Sequence, residues 1–383
     1  MNKLGSSRIP LNERRTNLRG ILDLLTGRYP RFLFGGSIGE VLPVFHFHEA
    51  EPKDLEAKLL YLAENGYQTV TSEVIANFVR TGKHPGPPCV ALCFDDAWAS
   101  LWTVAGPLLK KYGFTAIAYA IPGRITDVNI MRPTIEQGVK SPGEIDCSSN
   151  PFVTWTELKA LHESGIIDVQ SHSYSHSMMY CSEKVIDFVT PNYSARSPLS
   201  RPLTSANGNL VYLDHKELGA PIYIQRSRLS DARRYREDHG VKQRCLDYVE
   251  RSGGEEFFRT SNWKARLFQV VESRKGIYES TDEQRNRIYE ELDISKSMLN
   301  DRLRTNTVQH LCFPWGIAGD MAYQAAAEVG YKTAVSINLF GRYGVRAGDH
   351  PYKLMRLRND FVYCLPGRAK RKWFFGALFK KTH

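Results

Sequence analysis

From residue 41 onward, short apolar runs alternate with stretches whose apolar residues recur at helical spacing. Val44-Phe45 heads the first run. Pro52-Lys53-Asp54 then opens a helix in which Leu55, Leu59 and Leu62 share a face and which Gly66 ends. Strands are predicted at 68–71, 89–94 and 115–120, separated by helices over 72–80 and 98–112. Residues 122–152, rich in Pro, Gly and Ser, read as a long loop. Thr154 and Glu157 form a capping box for a helix reaching Ser164. The run Ile166-Ile167-Asp168-Val169 follows, and a later strand is expected over 308–313. Buried strands between amphipathic helices predict a parallel α/β sheet closing toward a barrel. Active groups in such a barrel gather at the C-terminal ends of strands. His46, Asp95, Asp96, His172, His176 and Pro314 all fall there.

The stretch from about 181 to 305 is less regular. It is turn-rich near 205–208 and carries a predicted helix over 282–304 with Ile288, Leu292, Leu299 and Leu303 on one stripe. We read it as a large insertion over the barrel mouth, where such segments set substrate choice. Arg226, Arg228, Arg233, Arg234 and Arg236 cluster within it, either to meet a phosphate or carboxylate or as a solvated face. Residues 1–40 read as an N-terminal arm with one short apolar helix around 18–25, residues 41–365 as the catalytic domain, and 366–383 as a tail.

Charge adds a partner class. The chain has 383 residues and a formal net charge of +10, which attracts anionic surfaces. The tail mixes Lys and Arg with Trp373, Phe374, Phe375, Leu378 and Phe379. That composition suits either peripheral contact with an anionic membrane or a helix docked on the domain. No nucleic-acid motif accompanies the charge, so nucleic acid is not expected. Residues 1–31 lack the apolar core of a signal peptide, and no segment approaches the roughly 20 apolar residues of a span. The seven cysteines have no Cys-x-x-Cys pairing. The expected location is cytoplasmic, with possible attachment at the inner membrane face.

Two motifs carry chemistry: Cys93-Phe94-Asp95-Asp96-Ala97 and His172-Ser173-Tyr174-Ser175-His176. Each follows a predicted strand. The two imidazoles are four residues apart, on one side if the segment coils as a helical turn. One carboxylate and two imidazoles are ligands that zinc accepts, with a fourth position left for water. The remaining aspartate is then available for proton transfer. A metal-dependent hydrolase is the expectation, with Zn2+ favoured and Co2+ or Ni2+ as substitutes.

The motifs together resemble those of the NodB-like polysaccharide deacetylases, the chitooligosaccharide deacetylase superfamily of carbohydrate esterase family 4 type. That family carries Phe-Asp-Asp, His-Ser/Thr-x-x-His and an aromatic-Pro-aromatic-Gly motif, here Phe313-Pro314-Trp315-Gly316 after Cys312. Pro43-Val44-Phe45-His46 and Asn65-Gly66-Tyr67-Gln68-Thr69-Val70 also look like its first strand-helix-strand unit. The resemblance covers roughly 41–180 and 305–360. It implies a distorted (β/α) barrel with Asp96, His172 and His176 as metal ligands and Asp95 as general base. It also implies that Trp315 offers its backbone N–H to the oxyanion, and that Arg356 orients Asp95. The usual late histidine of a Leu-x-His motif is absent, since the chain reads Leu354-Met355-Arg356. Some relatives instead draw the acid from the histidine that ends the first strand, so the resemblance implies His46 as general acid, with His48 as the fallback. Cys312-Phe313 replaces the common arginine before Pro, and Ala97 stands where glycine is usual. Alanine disfavours positive φ, so a changed loop course is expected there.

The expected activity is removal of an N-acetyl or N-formyl group from an amino sugar in a glycan or in a lipid-linked or nucleotide-linked sugar. The alternatives are a catalytically silent relative binding glycan or anionic lipid, and an amidase on a small non-sugar amide.

Overall fold

The structure is a computed structural model describing residues 23, 25–86, 88–138, 151–193, 198–206, 209–238, 240–271, 276–337 and 341–368. The basic aromatic tail beyond 368 and most of the expected helix at 18–25 lie outside these residues. Two units separate. Among the described residues one takes in His176–Tyr289 and Ile317–Ala322, and the other the remainder. We call them the insertion unit and the barrel unit.

In chain order the barrel unit opens with β1 (Val44–Phe47), β2 (Gln68–Thr69), β3 (Cys89–Asp96), β4 (Ala116–Ala120) and β5 (Ile167–Ser171). The insertion unit holds β6 (Met178–Phe188), β7 (Pro202–Ala206), β8 (Asn209–Tyr212), β9 (Pro221–Ser227), β10 (Tyr235–Arg236) and β11 (Ile277–Tyr278). The chain returns to the barrel with β12 (His310–Cys312), β13 (Thr333–Val335) and β14 (Leu357–Arg358). The helices are α1 (Pro52–Glu64), α2 (Ser72–Thr81), α3 (Gly106–Tyr112), α4 (Trp155–Glu163), α5 (Val241–Arg251), α6 (Trp263–Val271), α7 (Thr281–Leu303) and α8 (Asp320–Glu328).

The barrel strands are all parallel, in the order β13-β12-β5-β4-β3-β1-β14, with β2 added to β3. A single segment completes the ring: Leu354 bridges to Val335 of β13, and three residues later Leu357 pairs with Phe45 of β1. The expected distorted barrel is therefore present, as a half-barrel of continuous sheet closed by one short stretch of chain.

Every residue of β3 is buried, as a central parallel strand covered on both faces requires. The period of two divides it. Val90, Leu92 and Phe94 join the cluster containing Leu59 and Leu62 of α1 and Leu108 and Leu109 of α3. Ala91 and Cys93 join Val44, Ile117, Tyr119, Cys312 and Leu354 in the barrel interior. Asp95 continues the interior row beyond Cys93. Register brings the C-terminal ends of the strands level: His46 pairs with Cys93, Asp95 with Tyr119, Ala120 with Ser171, and Ser171 with Leu311.

The capping box opens α4 as expected, with Thr154 Oγ1 accepting from the Glu157 N–H at 3.2 Å. The segment expected to be one helix over 98–112 begins instead with a π-helical turn, Leu101–Ala105, before α3. From the N-terminal arm, Tyr29, Phe32 and Leu33 pack into the barrel core. Among the described residues no helix is long and apolar enough to cross a membrane.

The insertion unit has a four-stranded sheet of order β8-β7-β6-β9, antiparallel except for β6–β7, and a β10–β11 ribbon. Its core is aromatic: Tyr180, Phe188, Tyr223, Tyr235 and Phe257 pack with Cys245, Val249 and Leu267 from α5 and α6. Sequence periodicity finds only α7 in this region, because the strands are short and the aromatics follow neither period cleanly.

Candidate metal centre

Asp95 and Asp96 close β3, and each is only 4% exposed. In a regular strand adjacent side chains face opposite ways. Here the backbone turns at once, with φ of 70° at Asp96 and 55° at Ala97. Ala97 thus takes the left-handed conformation that its methyl group disfavours. The surroundings impose it: Ala97 is fully buried and its carbonyl accepts the Val153 N–H at 2.9 Å. The usual cost of this conformation, roughly 1–2 kcal/mol, is offset by that burial and bonding.

Asp95 meets Arg356 in a two-pronged pair: Nη1 donates to Oδ1 and Nη2 to Oδ2, both at 2.6 Å. Burial pushes the carboxyl upward, but the Arg356 charge and hydrogen bonds overcome it and hold Asp95 well below the usual carboxylate range. Arg356 Nη2 also reaches Cys312 Sγ at 3.2 Å, and its guanidinium carbon lies 5.5 Å from the Tyr119 ring centroid. Cys312, the residue replacing the common arginine, is thus a neighbour of the arginine that holds Asp95.

His172 follows β5. Its Nδ1 sits 2.6 Å from the Cys312 carbonyl oxygen, an acceptor only, so Nδ1 carries the proton. In the neutral ring that a metal requires, Nε2 then holds the lone pair; it lies 3.3 Å from Asp96 Oδ1. A carbonyl fixing the tautomer is the common support of a metal-binding imidazole. Ligand atoms of Asp96, His172 and His176 lie within 4.8 Å of one another, and all three residues are buried. This donor set, one carboxylate and two imidazoles, fits a divalent ion such as zinc. Two other groups approach as closely, Asp95–His172–Cys312 and His46–His48–Asp95. Both place a cation beside the Arg356 guanidinium already bonded to Asp95, so the Asp96 group is electrostatically preferred.

The His motif forms no helical turn, which corrects the expected geometry. Ser173 and His176 have φ of 62° and 52°, and the segment is an irregular loop. Its shape comes from α7. Glu291, 8% exposed, accepts through Oε1 from the Ser175 N–H at 2.6 Å, Ser175 Oγ at 2.6 Å and Ser173 Oγ at 3.2 Å. The Glu291 carbonyl also accepts the Tyr174 N–H at 3.1 Å. On the other side the Gly123 N–H donates to the Tyr174 carbonyl at 2.9 Å. A Cβ on Gly123 would lie 2.5 Å from that carbonyl oxygen, so only glycine permits the approach.

The remaining expected residues are placed as follows. His46 lies on β1, partly buried. The strand ends at Phe47, so His48 does not continue it and is more than half exposed. Even so His48 Nε2 comes within 3.9 Å of Asp95 Oδ2, and the two rings are 5.7 Å apart. Trp315 has φ of 59° inside the Pro314–Gly316 turn that follows β12. In the insertion unit, the Arg233 guanidinium donates to the Glu279 carbonyl and Arg236 Nη2 to Glu283 Oε1 at 2.6 Å.

Sequence reasoning missed two contributors. Trp98 Nε1 donates to Asp96 Oδ2 at 2.9 Å, and its position two residues beyond the aspartate was a usable signal. Glu291 carried no signal, since it is more than a hundred residues from the loop it holds.

Residues 82–198 match the polysaccharide deacetylase family. The poly-beta-1,6-N-acetyl-D-glucosamine N-deacetylase of Escherichia coli strain K12 is 25% identical over 215 residues, 56% of this chain and 26% of that protein. Bacillus subtilis YxkH is 33% identical over 88 residues, 21% of this chain and 32% of its own. The chain thus spans about a third or less of the curated relatives it matches. In fold it is similar to the BpsB deacetylase domain from Bordetella bronchiseptica, with a TM-score of 0.51 and 16% identity over 84% of this chain and 97% of that one.

Proposed function

We propose that this chain, whose residues 82–198 match the polysaccharide deacetylase family, hydrolyses the N-acetyl group of an amino sugar within a glycan. The observation that carries the reading is the buried Asp96–His172–His176 donor set beside an Asp95 carboxylate held ionised by Arg356. A binding protein has no need of such a pairing, which argues against the catalytically silent alternative. Similarity to the Escherichia coli poly-beta-1,6-N-acetyl-D-glucosamine N-deacetylase favours a poly-N-acetylglucosamine substrate over a lipid-linked or nucleotide-linked sugar or a small amide.

Asp96, His172 and His176 are the residues to hold a divalent ion, zinc by donor chemistry. Such an ion supplies Lewis-acid polarisation of the acyl carbonyl and a lowered pKa for water. Asp95 accepts the proton that water loses as its oxygen bonds to the acyl carbon. Arg356 keeps that carboxylate ionised and fixed in the barrel interior. Trp315 offers its backbone N–H to the developing oxyanion. The C–N bond then breaks as the amine nitrogen takes a proton from His46, or from His48 if His46 proves dispensable. Acetate and the free amine leave. Trp98 and the Cys312 carbonyl orient Asp96 and His172 without touching substrate.

The test pairs elemental analysis with acetate release from poly-β-1,6-N-acetylglucosamine and chitooligosaccharides. About one zinc per chain is expected in the parent, with none in a His172→Ala, His176→Ala variant, and acetate release from the parent only. A parent that refuses added zinc and cobalt overturns the reading.

A further inference from the structure

The proposed reaction needs one imidazole as proton donor, yet two converge on Asp95. β1 pairs with β3 so that His46 lies level with Cys93 and Phe47 with Phe94. His46 therefore shares the interior face of Val44, Ala91 and Cys93, the row that ends in Asp95. Phe47 is 3% exposed and stacks on Phe94 with ring centroids 4.9 Å apart, which anchors the end of the strand on its other face. The chain leaves β1 there. His48 Nε2 then arrives 3.9 Å from Asp95 Oδ2, its ring edge-on to that of His46 at 5.7 Å. Ligand atoms of His46, His48 and Asp95 all lie within 4.8 Å of one another.

Two imidazoles and one carboxylate repeat the donor chemistry of the Asp96 group in a different setting. The Asp96 group is buried, whereas the His48 side chain is 56% exposed, so ions reach the second trio directly from solvent. An exposed imidazole also rotates at little cost to close the last fraction of an ångström. Arg356 donates one hydrogen bond to each Asp95 oxygen, and a carboxylate has about four lone-pair positions, so acceptor capacity remains for a metal. The guanidinium and an ion on Asp96 both repel a cation at this point. The trio is therefore the weaker of the two groups and fills only when metal is in excess.

We propose that His46, His48 and Asp95 form a second divalent-metal site through which excess zinc inhibits the protein. Ligation there takes the Asp95 lone pair that receives the proton of water and the imidazole nitrogen that protonates the amine, so base and acid are lost together. The site stands on its geometry, and the inhibition rests on the deacetylase reading. Equilibrium dialysis of the full chain, free of any histidine tag, against a zinc series with elemental analysis tests the site. The parent should bind one tight equivalent and a second with a Kd at least tenfold higher but below millimolar. His48→Ala, an exposed change that the fold tolerates, and Asp95→Asn should each keep the first and weaken the second at least tenfold. The His172→Ala, His176→Ala variant should keep only the second. Acetate release by the parent should fall at least tenfold as the second equivalent binds, with half-inhibition at its Kd. His48→Ala should need at least tenfold more zinc for the same fractional loss, whatever its own rate without excess metal. A parent that saturates at one zinc, or a second equivalent unchanged in both His48→Ala and Asp95→Asn, overturns the site. A second equivalent that binds while acetate release continues unchanged overturns the inhibition. No acetate release at any zinc concentration overturns the deacetylase reading and the inhibition with it, while the binding stoichiometry still decides the site.

Discussion

Glu291→Ala should weaken metal binding without removing a ligand. In the structure Glu291 Oε1 accepts three hydrogen bonds from Ser173 and Ser175, the residues between the two histidines. At about 1 kcal/mol net for each such bond, the loop loses roughly 3 kcal/mol of local order. Losing an outer support of a ligand typically costs 10–100-fold in affinity, or about 1.4–2.7 kcal/mol. The bonds lost are therefore sufficient for an effect of that size. Calorimetric titration of zinc into metal-stripped protein should show a Kd raised by about 10–100-fold. Glu291→Gln keeps an acceptor oxygen and should fall between parent and alanine variant. Glu290→Ala, at an exposed neighbour, should leave the Kd unchanged. A folded Glu291→Ala protein with parental affinity would refute the reasoning, because the loop would then hold its shape without α7.

Other perturbations separate the remaining roles. Asp95→Asn should abolish acetate release while zinc content stays at the parental level; near-normal turnover would remove Asp95 as the base. Arg356→Met leaves a buried carboxylate unpaired and should cost about 3–5 kcal/mol of stability, read as a lower Tm. Glu237 gives a pH signature. Its folded value, about 7, lies above the ordinary 4.5, so its contribution is intact below about pH 4.5 and is lost as pH rises toward 7. The groups facing it are Tyr223 on β9, Lys242 on α5 and Glu217 in the preceding loop, with Arg236 and Asp238 as chain neighbours. Glu237→Gln keeps the acceptor for Tyr223 and should be more stable than the parent at pH 8, by up to about 3 kcal/mol, and equal to it near pH 4.5. A constant difference across that range would show that burial of the charge is not what matters.

The barrel was legible because its evidence is local. Apolar runs such as Val90 to Phe94 end in chemistry-bearing residues, and that pattern placed Asp95, Asp96 and His172 at strand ends before any register was known. The capping box at Thr154 and the stripe of α7 were equally plain, each being written within a few residues. The insertion unit was not, since its short strands pair across long separations and its aromatic core has no single period.

Composition and spacing by themselves determined which side chains could meet a metal and in what kind of fold. Only the tertiary structure decided how they are held. It turned Asp96 and Ala97 into left-handed backbone that a lone alanine would avoid. It set the His172 tautomer through the Cys312 carbonyl, and shaped the His loop through Glu291 on a distant helix. Intrinsic preference acts over neighbours in the chain, whereas these constraints come from packing and hydrogen bonds between residues far apart in sequence. Such bonds outweigh local preferences of about 1 kcal/mol without leaving a mark in the sequence around the residues they constrain.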